Sequence, residues 1–289
     1  MKKIIAVIIL ISAAVLVLTA CGGAAFDASK NISVLVREDG SGTKSAFMDI
    51  IGLKGKADPA GVFMQTGTAG IMAEVKSNPA AIAYESLGFV DENNAKKLKV
   101  DGAEATVANI KSGTYKIARP LSVAYQASAL DDAVNMAFFT FLQSSDAQKI
   151  IDGEGFVSLY SSAAAYTIDG SLSGTINISG STSLQPLMIE LEAAFKSLQP
   201  NITVNVSGGG SGTGYNDADN GTSVFGMISE EFNPEKAPSC TYYEVAKDGI
   251  AVIVNKENPL NSITMEQLKN IYDAEAGSNA LTVWNELIK

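Results

Sequence analysis

Histidine is missing from all 289 residues. Its absence removes Ser-His-Asp and Cys-His catalysis, imidazole zinc ligation and any imidazole pH switch. Cysteine is almost missing too: Cys21 and Cys240 cannot build a disulfide framework. Basic residues are scarce, with 21 Lys+Arg against 31 Asp+Glu and a net charge of −10. Such a surface argues against broad binding to nucleic acid. No segment fits G-x-x-x-x-G-K-[ST], so a phosphate-loop nucleotide hydrolase is disfavoured. What is present in quantity is apolar: 46% of residues, against 18% charged. That is enough for a real core and excludes wholesale disorder. At roughly 150 residues per domain, the length suits about two compact units.

The first residues read as an address. Lys2 and Lys3 precede an apolar run over residues 4–18, broken only by Ser12. The run fits a signal-peptide core and is short for a membrane span of about 20 residues. It ends Leu18-Thr19-Ala20-Cys21, which resembles the bacterial lipobox, where the cysteine is lipidated and becomes the new N-terminus. The expectation is a signal peptide over residues 1–20 and a chain held to the outer face of the cell membrane by lipid on Cys21. Removing residues 1–20 takes away two lysines and moves the balance from −10 to −12. Cys240 is expected to pack as a small buried hydrophobe.

Short apolar runs predict strands over residues 32–36, 81–84, 175–179, 202–206, 224–228 and 250–254. Between them, Leu184, Leu187, Met188, Leu191, Phe195 and Leu198 repeat with helical period, as do Val134, Phe138, Phe141 and Leu142. Ser145-Asp146-Ala147-Gln148 and Thr264-Met265-Glu266-Gln267 read as capping boxes opening two more helices. Alternating strands and helices predict an α/β chain with mostly parallel sheets. Residues 158–174, small and polar, read as a flexible join.

Three hydroxyl-rich glycine turns carry the chemistry. They are Arg37-Glu38-Asp39-Gly40-Ser41-Gly42-Thr43-Lys44, Ser179-Gly180-Ser181-Thr182-Ser183 and Gly208-Gly209-Gly210-Ser211-Gly212-Thr213-Gly214. Each follows a predicted strand and runs into a helix. Helix N-termini present unpaired N–H groups and the positive end of the macrodipole. Three converging ends would make an anion site without a positive protein. Arg37 would add a charge-assisted contact to an oxyanion. Each turn alone is an ordinary tight turn; three in one chain point to a site.

At these turns the chain resembles a known family. Arg37 to Thr43 is similar to the R-x-D-G-S-G-T signature of phosphate-binding proteins that feed Pst-type ABC importers. Ser179 to Ser183 with Leu184-Gln185-Pro186-Leu187, and Ser207 to Gly214, resemble two further loops of that family. The resemblance covers nearly all of residues 31–289. It implies a two-lobed periplasmic-binding-protein-like fold (type II), with the ligand cleft between the lobes and hinge closure. It also implies a monomer with no cofactor, metal or catalytic residue, and an ABC permease with a cytoplasmic ATPase as partner. Carried over, Thr182, Ser183, Ser211, Arg37, Ser41, Gly42 and Thr43 are the phosphate-binding residues. Asp39 would orient the arginine, and Glu230, beside Ser229, is a candidate acceptor for the ligand's proton. The motif order differs from the family's, because the chain starts at the R-x-D-G-S-G-T half. This reads as a circular permutation. One lobe would be residues 31–118 plus 250–289 and the other 119–249, with the chain crossing near Ala118-Arg119-Pro120 and Lys247-Asp248-Gly249.

Three other readings compete. Another oxyanion, such as molybdate, sulfate or a phosphonate, would suit the same turns. Ser41-Gly42-Thr43-Lys44 formally matches S-x-x-K of Ser-Lys acyl enzymes, and Lys111-Ser112-Gly113 their K-[ST]-G. A lipoprotein that senses or binds at the surface without transport is the third.

Overall fold

The structure, a computed structural model, describes residues 25–288. The signal segment and Cys21 lie outside the described residues. The first half runs β1 (Ser33–Arg37), α1 (Gly42–Ile50), β2 (Phe63–Gln65), α2 (Gly67–Ser77), β3 (Ala81–Ser86), β4 (Ala95–Lys97), β5 (Lys99–Val100), α3 (Val107–Lys111), β6 (Ala118–Tyr125), α4 (Ala133–Leu142) and α5 (Ser145–Gly153). The second half runs β7 (Gly174–Gly180), α6 (Gln185–Leu198), β8 (Ile202–Gly209), α7 (Ser211–Asp219), β9 (Phe225–Ile228), β10 (Thr241–Asn255), β11 (Ser262–Ile263) and α8 (Met265–Tyr272).

Every strand read from the sequence forms, but the sheet is mixed rather than mostly parallel. Its order is β2-β1-β3-β10-β6-β9-β7-β8, with β4 also on β10. The strand–helix–strand units β1/β3 and β7/β8/β9 pair in parallel, as short βαβ crossovers require. The departure comes from β10, which pairs antiparallel with β6 through Thr241–Gly249 and with β3 through Ile250–Val254, and from β6, which pairs antiparallel with β9. Its apolar C-terminal half was legible; the polar Thr241-Tyr242-Tyr243-Glu244 start was not. The strand β6 was missed because Pro120 interrupts its apolar run; the proline sits opposite Lys247 in the antiparallel ladder.

Two large cores lie on either side of the point where β6 and β10 cross. One gathers Leu35, Phe47, Ile82, Tyr84, Ile117, Ile250, Val252 and Trp284. The other gathers Leu121, Phe138, Phe141, Ile178, Leu191, Phe195, Met227 and Ala246. Aromatic side chains anchor both: Phe47 stacks on Tyr84 at 4.0 Å between centroids, and Phe138 meets Phe195 edge-on at 5.1 Å. A small third cluster under α7 holds Tyr215, Ala218 and Ile228, with Cys240 partly buried against it.

Caps are mostly where the sequence put them. Thr264 forms the capping box with Gln267. The other box is displaced by one residue: Ser144, not Ser145, caps α5 by accepting from Ala147 N. Residues 158–173 hold no helix or strand but are tied down, which corrects the reading of this stretch as a flexible join. Ala164 O accepts from Ser145 N, Tyr166 N donates to Asp146, and the Tyr166 ring packs on Phe141 and Phe195. At the opposite end, residues from both ends of the described chain meet. Trp284 N donates to Lys30 O, Asn285 N to Ala28 O, and the Phe26 and Trp284 rings lie 5.7 Å apart.

Candidate functional site

The three turns converge. Strand β1 ends at Arg37, and Ser41 caps α1 by accepting from Lys44 N, so Gly42 and Thr43 form the first turn of that helix. Strand β7 ends at Gly180, and Ser181 accepts from Ser183 N and Leu184 N just ahead of α6. Strand β8 ends at Gly209, Gly210 takes a left-handed φ of 88°, and Ser211 opens α7. Glycine supplies that φ without strain. Three helix N-termini therefore point at one region, each carrying roughly half a positive charge.

Contacts join the turns across the two cores. Arg37 Nη2 donates to Thr182 Oγ1 at 2.8 Å. The Thr43 and Ser183 hydroxyls lie 2.8 Å apart. Gly212 N donates to Gly40 O at 3.0 Å. A methyl group at Gly42 would collide with the Ser211 and Ser229 hydroxyls, so that glycine is required by close approach. Ser211 Oγ in turn accepts from Ser229 N at 3.1 Å. Arg37, Ser41, Gly42, Thr43, Thr182, Ser183 and Ser211 thus sit together, although 145 residues separate Arg37 from Thr182.

Arg37 is 1% exposed and held by two carboxylates. Glu38 accepts from Nε at 2.9 Å and from Nη2 at 3.0 Å; Glu85 accepts from Nη1 at 3.1 Å. Burial disfavours the charge, but Glu38 and Glu85 outweigh it and hold the guanidinium protonated. Glu38 also accepts from Gly67 N, at the start of α2. Burial pushes its carboxyl up, yet Arg37 outweighs burial and holds it below the usual glutamate value.

The site contains groups that the motifs did not reveal. Arg119, 2% exposed, donates from Nη1 to Thr43 Oγ1 at 2.7 Å and to Ser229 O at 2.9 Å. Its Nε and Nη2 both meet Asp248 Oδ2, at 3.2 and 3.0 Å. Glu85 accepts from Ser86 N and, at 3.4 Å, from Ser183 Oγ. The available signal was a charge inside an apolar strand: Glu85 in Ala-Tyr-Glu-Ser, Arg119 before Pro-Leu, Asp248 before Gly-Ile-Ala-Val. Buried charges are paired, so each of these asked for a partner.

Similarity to known proteins fits this geometry. The PBP superfamily domain description matches residues 25–146 and 165–289. Phosphate-binding protein PstS 2 of Streptococcus pneumoniae serotype 4 is 31% identical over 281 residues, covering 93% of this chain and 94% of that protein. Phosphate-binding protein PstS 2 of Streptococcus agalactiae serotype V is 33% identical over 285 residues, 94% of each. The chain belongs to the PstS family within the PBP superfamily. A solved structure from that family, the phosphate-binding protein of a phosphate ABC transporter of Streptococcus pneumoniae TIGR4, superposes with a TM-score of 0.70. It is 31% identical and covers 89% of this chain and 99% of that one. The alignments run nearly end to end along both chains.

One sequence assignment needs correction, and two more residues gain partners. Asp39 does not orient Arg37: its side chain is 91% exposed and pairs with Lys44 at 3.0 Å. Glu38 and Glu85 do that work instead. Glu230 is 5% exposed. It is buried against Lys236 at 2.7 Å and lines a groove along α1 with Ser45, Asp49 and Lys54. Lys44 is also not solvated, since it bridges Asp39 and Asp58. Partial burial disfavours its charge, but the Asp58 and Asp39 contacts prevail and raise its pKa. A lysine kept protonated in this way cannot serve as the base of a Ser-Lys acyl enzyme, and the Ser41 hydroxyl is occupied as a helix cap.

Proposed function

We propose that the protein captures inorganic phosphate between two lobes and delivers it to an ABC permease on the outer face of the cell membrane. It does so as a monomer, without catalysis or a cofactor. The observation that carries this reading is the meeting of Arg37, Thr43, Thr182, Ser183 and Ser211 across the two cores. Such a cluster of hydroxyl donors, helix N-termini and one paired arginine matches a tetrahedral oxyanion. The hinge is read at the crossing of β6 and β10, dividing residues 31–118 plus 250–289 from 119–249. That the Streptococcus relatives are phosphate-binding proteins favours phosphate over other oxyanions. Calorimetry with phosphate, sulfate and molybdate tests the choice: phosphate should bind tightest, and a preference for sulfate or molybdate would replace it.

Two parts of the reading concern the ends of the chain. Cys21 is read as the lipidated residue that anchors the protein. Labelled palmitate should enter the wild type in cells and be lost on Cys21→Ser; equal labelling of both would remove the anchor. The motif order is read as a circular permutation. The adjacency of residues 28–30 to 284–285 suits it, because permutation is tolerated where joined ends lie close. A chain starting near Ser173, with Lys289 linked to Asn31 and ending near Tyr160, should fold and bind phosphate. Loop-closure entropy changes by only about 0.6 kcal/mol per doubling of loop length. Failure of this chain to fold would count against the permutation.

A further inference from the structure

We infer that Arg119, held by Asp248 on the neighbouring crossover strand, is a positioning residue that fixes the direction in which the Thr43 hydroxyl donates at the anion site. The inference rests on the anion-site reading above. Asp248 and Arg119 face each other in the β6–β10 ladder, where the first core gives way to the second. Ile117 and Ile250 belong to one core, Leu121 and Ala246 to the other. From that point Arg119 reaches Thr43 on α1 and the Ser229 carbonyl after β9. It ties the crossing strands to a binding turn on one side and to the backbone after β9 on the other.

The direction follows from donor chemistry. A guanidinium has only N–H donors and no acceptor. Thr43 Oγ1, 2.7 Å from Nη1, must therefore accept from Arg119, which fills one of its two lone pairs and holds the hydroxyl with its own proton free to donate. The Ser183 hydroxyl is 2.8 Å away, and its proton passes in turn to the Glu85 carboxylate, which is paired with Arg37. The relay Arg119, Thr43, Ser183, Glu85 has a donor-only group at one end and a carboxylate at the other, so it runs one way. An anion arriving between the lobes takes the Thr43 proton in place of Ser183. Without Arg119, nothing holds the Thr43 hydroxyl in that orientation, and its preset donation is lost. Asp248 fixes the guanidinium plane with two contacts to one oxygen. A lysine cannot reproduce that fork.

The test is a double-mutant cycle on phosphate affinity, read by calorimetry on the full chain. Arg119→Lys should weaken binding about tenfold, as expected for coupled neighbours. In a Thr43→Val background the same change should cost less than about twofold, because its effect passes through that hydroxyl. Losses that multiply independently would mean Arg119 merely supports the fold and would overturn the inference. Should Arg119→Lys fail to fold, Asp248→Asn takes its place in the cycle, with the same coupling to Thr43→Val expected and independent losses again decisive against it. A wild type that binds no phosphate would overturn the anion site itself, and this inference with it; binding with an additive cycle would remove the inference alone.

Discussion

Arg37 and Arg119 are both buried arginines at the same site, yet they are built differently. Arg37 stands at the end of a strand, beside its own partner Glu38, in a turn that also carries Ser41, Gly42 and Thr43. Arg119 stands inside a strand, and its partner Asp248 comes from 129 residues away. Arg37 faces two carboxylates and a hydroxyl from the opposite core, as suits a cation that meets a ligand. Arg119 is satisfied by one carboxylate, one carbonyl and one hydroxyl, as suits a cation that organises others. A local motif builds the contact; a long-range pair aligns it.

The comparison can be broken most severely at Arg37. Arg37→Ala should abolish measurable phosphate binding, since it leaves Glu38 and Glu85 without their cation; breaking one side of a buried pair typically costs about 3–5 kcal/mol. Calorimetry reads this directly, and near-wild-type affinity would show that the wrong arginine was assigned to the ligand. Next in size is Gly42→Ala. The added methyl meets Ser211 and Ser229 and should oppose the joining of the two sides by about 1–3 kcal/mol, the usual cost of overpacking. It should lower affinity while leaving the thermal midpoint of the ligand-free protein nearly unchanged; a large drop in that midpoint would place the contact in the folding core.

A smaller effect sharpens the electrostatic half of the comparison. Glu38 in the fold titrates below its ordinary 4.5, because Arg37 outweighs burial. Its contribution to stability is complete above that ordinary value and is lost as pH falls through the lower, folded value. Wild type should therefore lose stability on acidification in this window, and Glu38→Gln should flatten that slope in melts recorded across pH. An unchanged slope would assign the acid sensitivity to other carboxylates. Smallest of all is Lys44→Ala. Its partner Asp39 points to solvent and Asp58 lies outside the phosphate turns, and partly exposed pairs are worth about 0–1 kcal/mol. Phosphate affinity should stay within about twofold; a loss comparable with Arg37→Ala would make Lys44 a ligand cation.

The same contrast explains what could be read from the sequence. The turns at residues 37–43, 179–183 and 208–214 were legible because strand, glycine and hydroxyl follow one another along the chain. Their convergence was not implied by composition or periodicity, and came from resemblance to a family. Arg119, Asp248 and Glu85 escaped because their partners are distant and their neighbours apolar; a strand pattern says where a charge is buried, not what it meets. Asp39 misled because a motif position does not fix a rotamer: the side chain one residue earlier took the arginine, and Asp39 turned to Lys44. The strand β10 misled for a related reason. Its two halves serve different partners, β6 and β3, so one apolar run described only half of it.

The central claim is that turns from both cores close on one anion. A crystal structure of the protein grown with inorganic phosphate tests it most directly. Density for one tetrahedral anion within hydrogen-bond reach of Arg37, Thr43, Thr182, Ser183 and Ser211 is the predicted result. Phosphate bound elsewhere, or touching the turns of one core only, would contradict it.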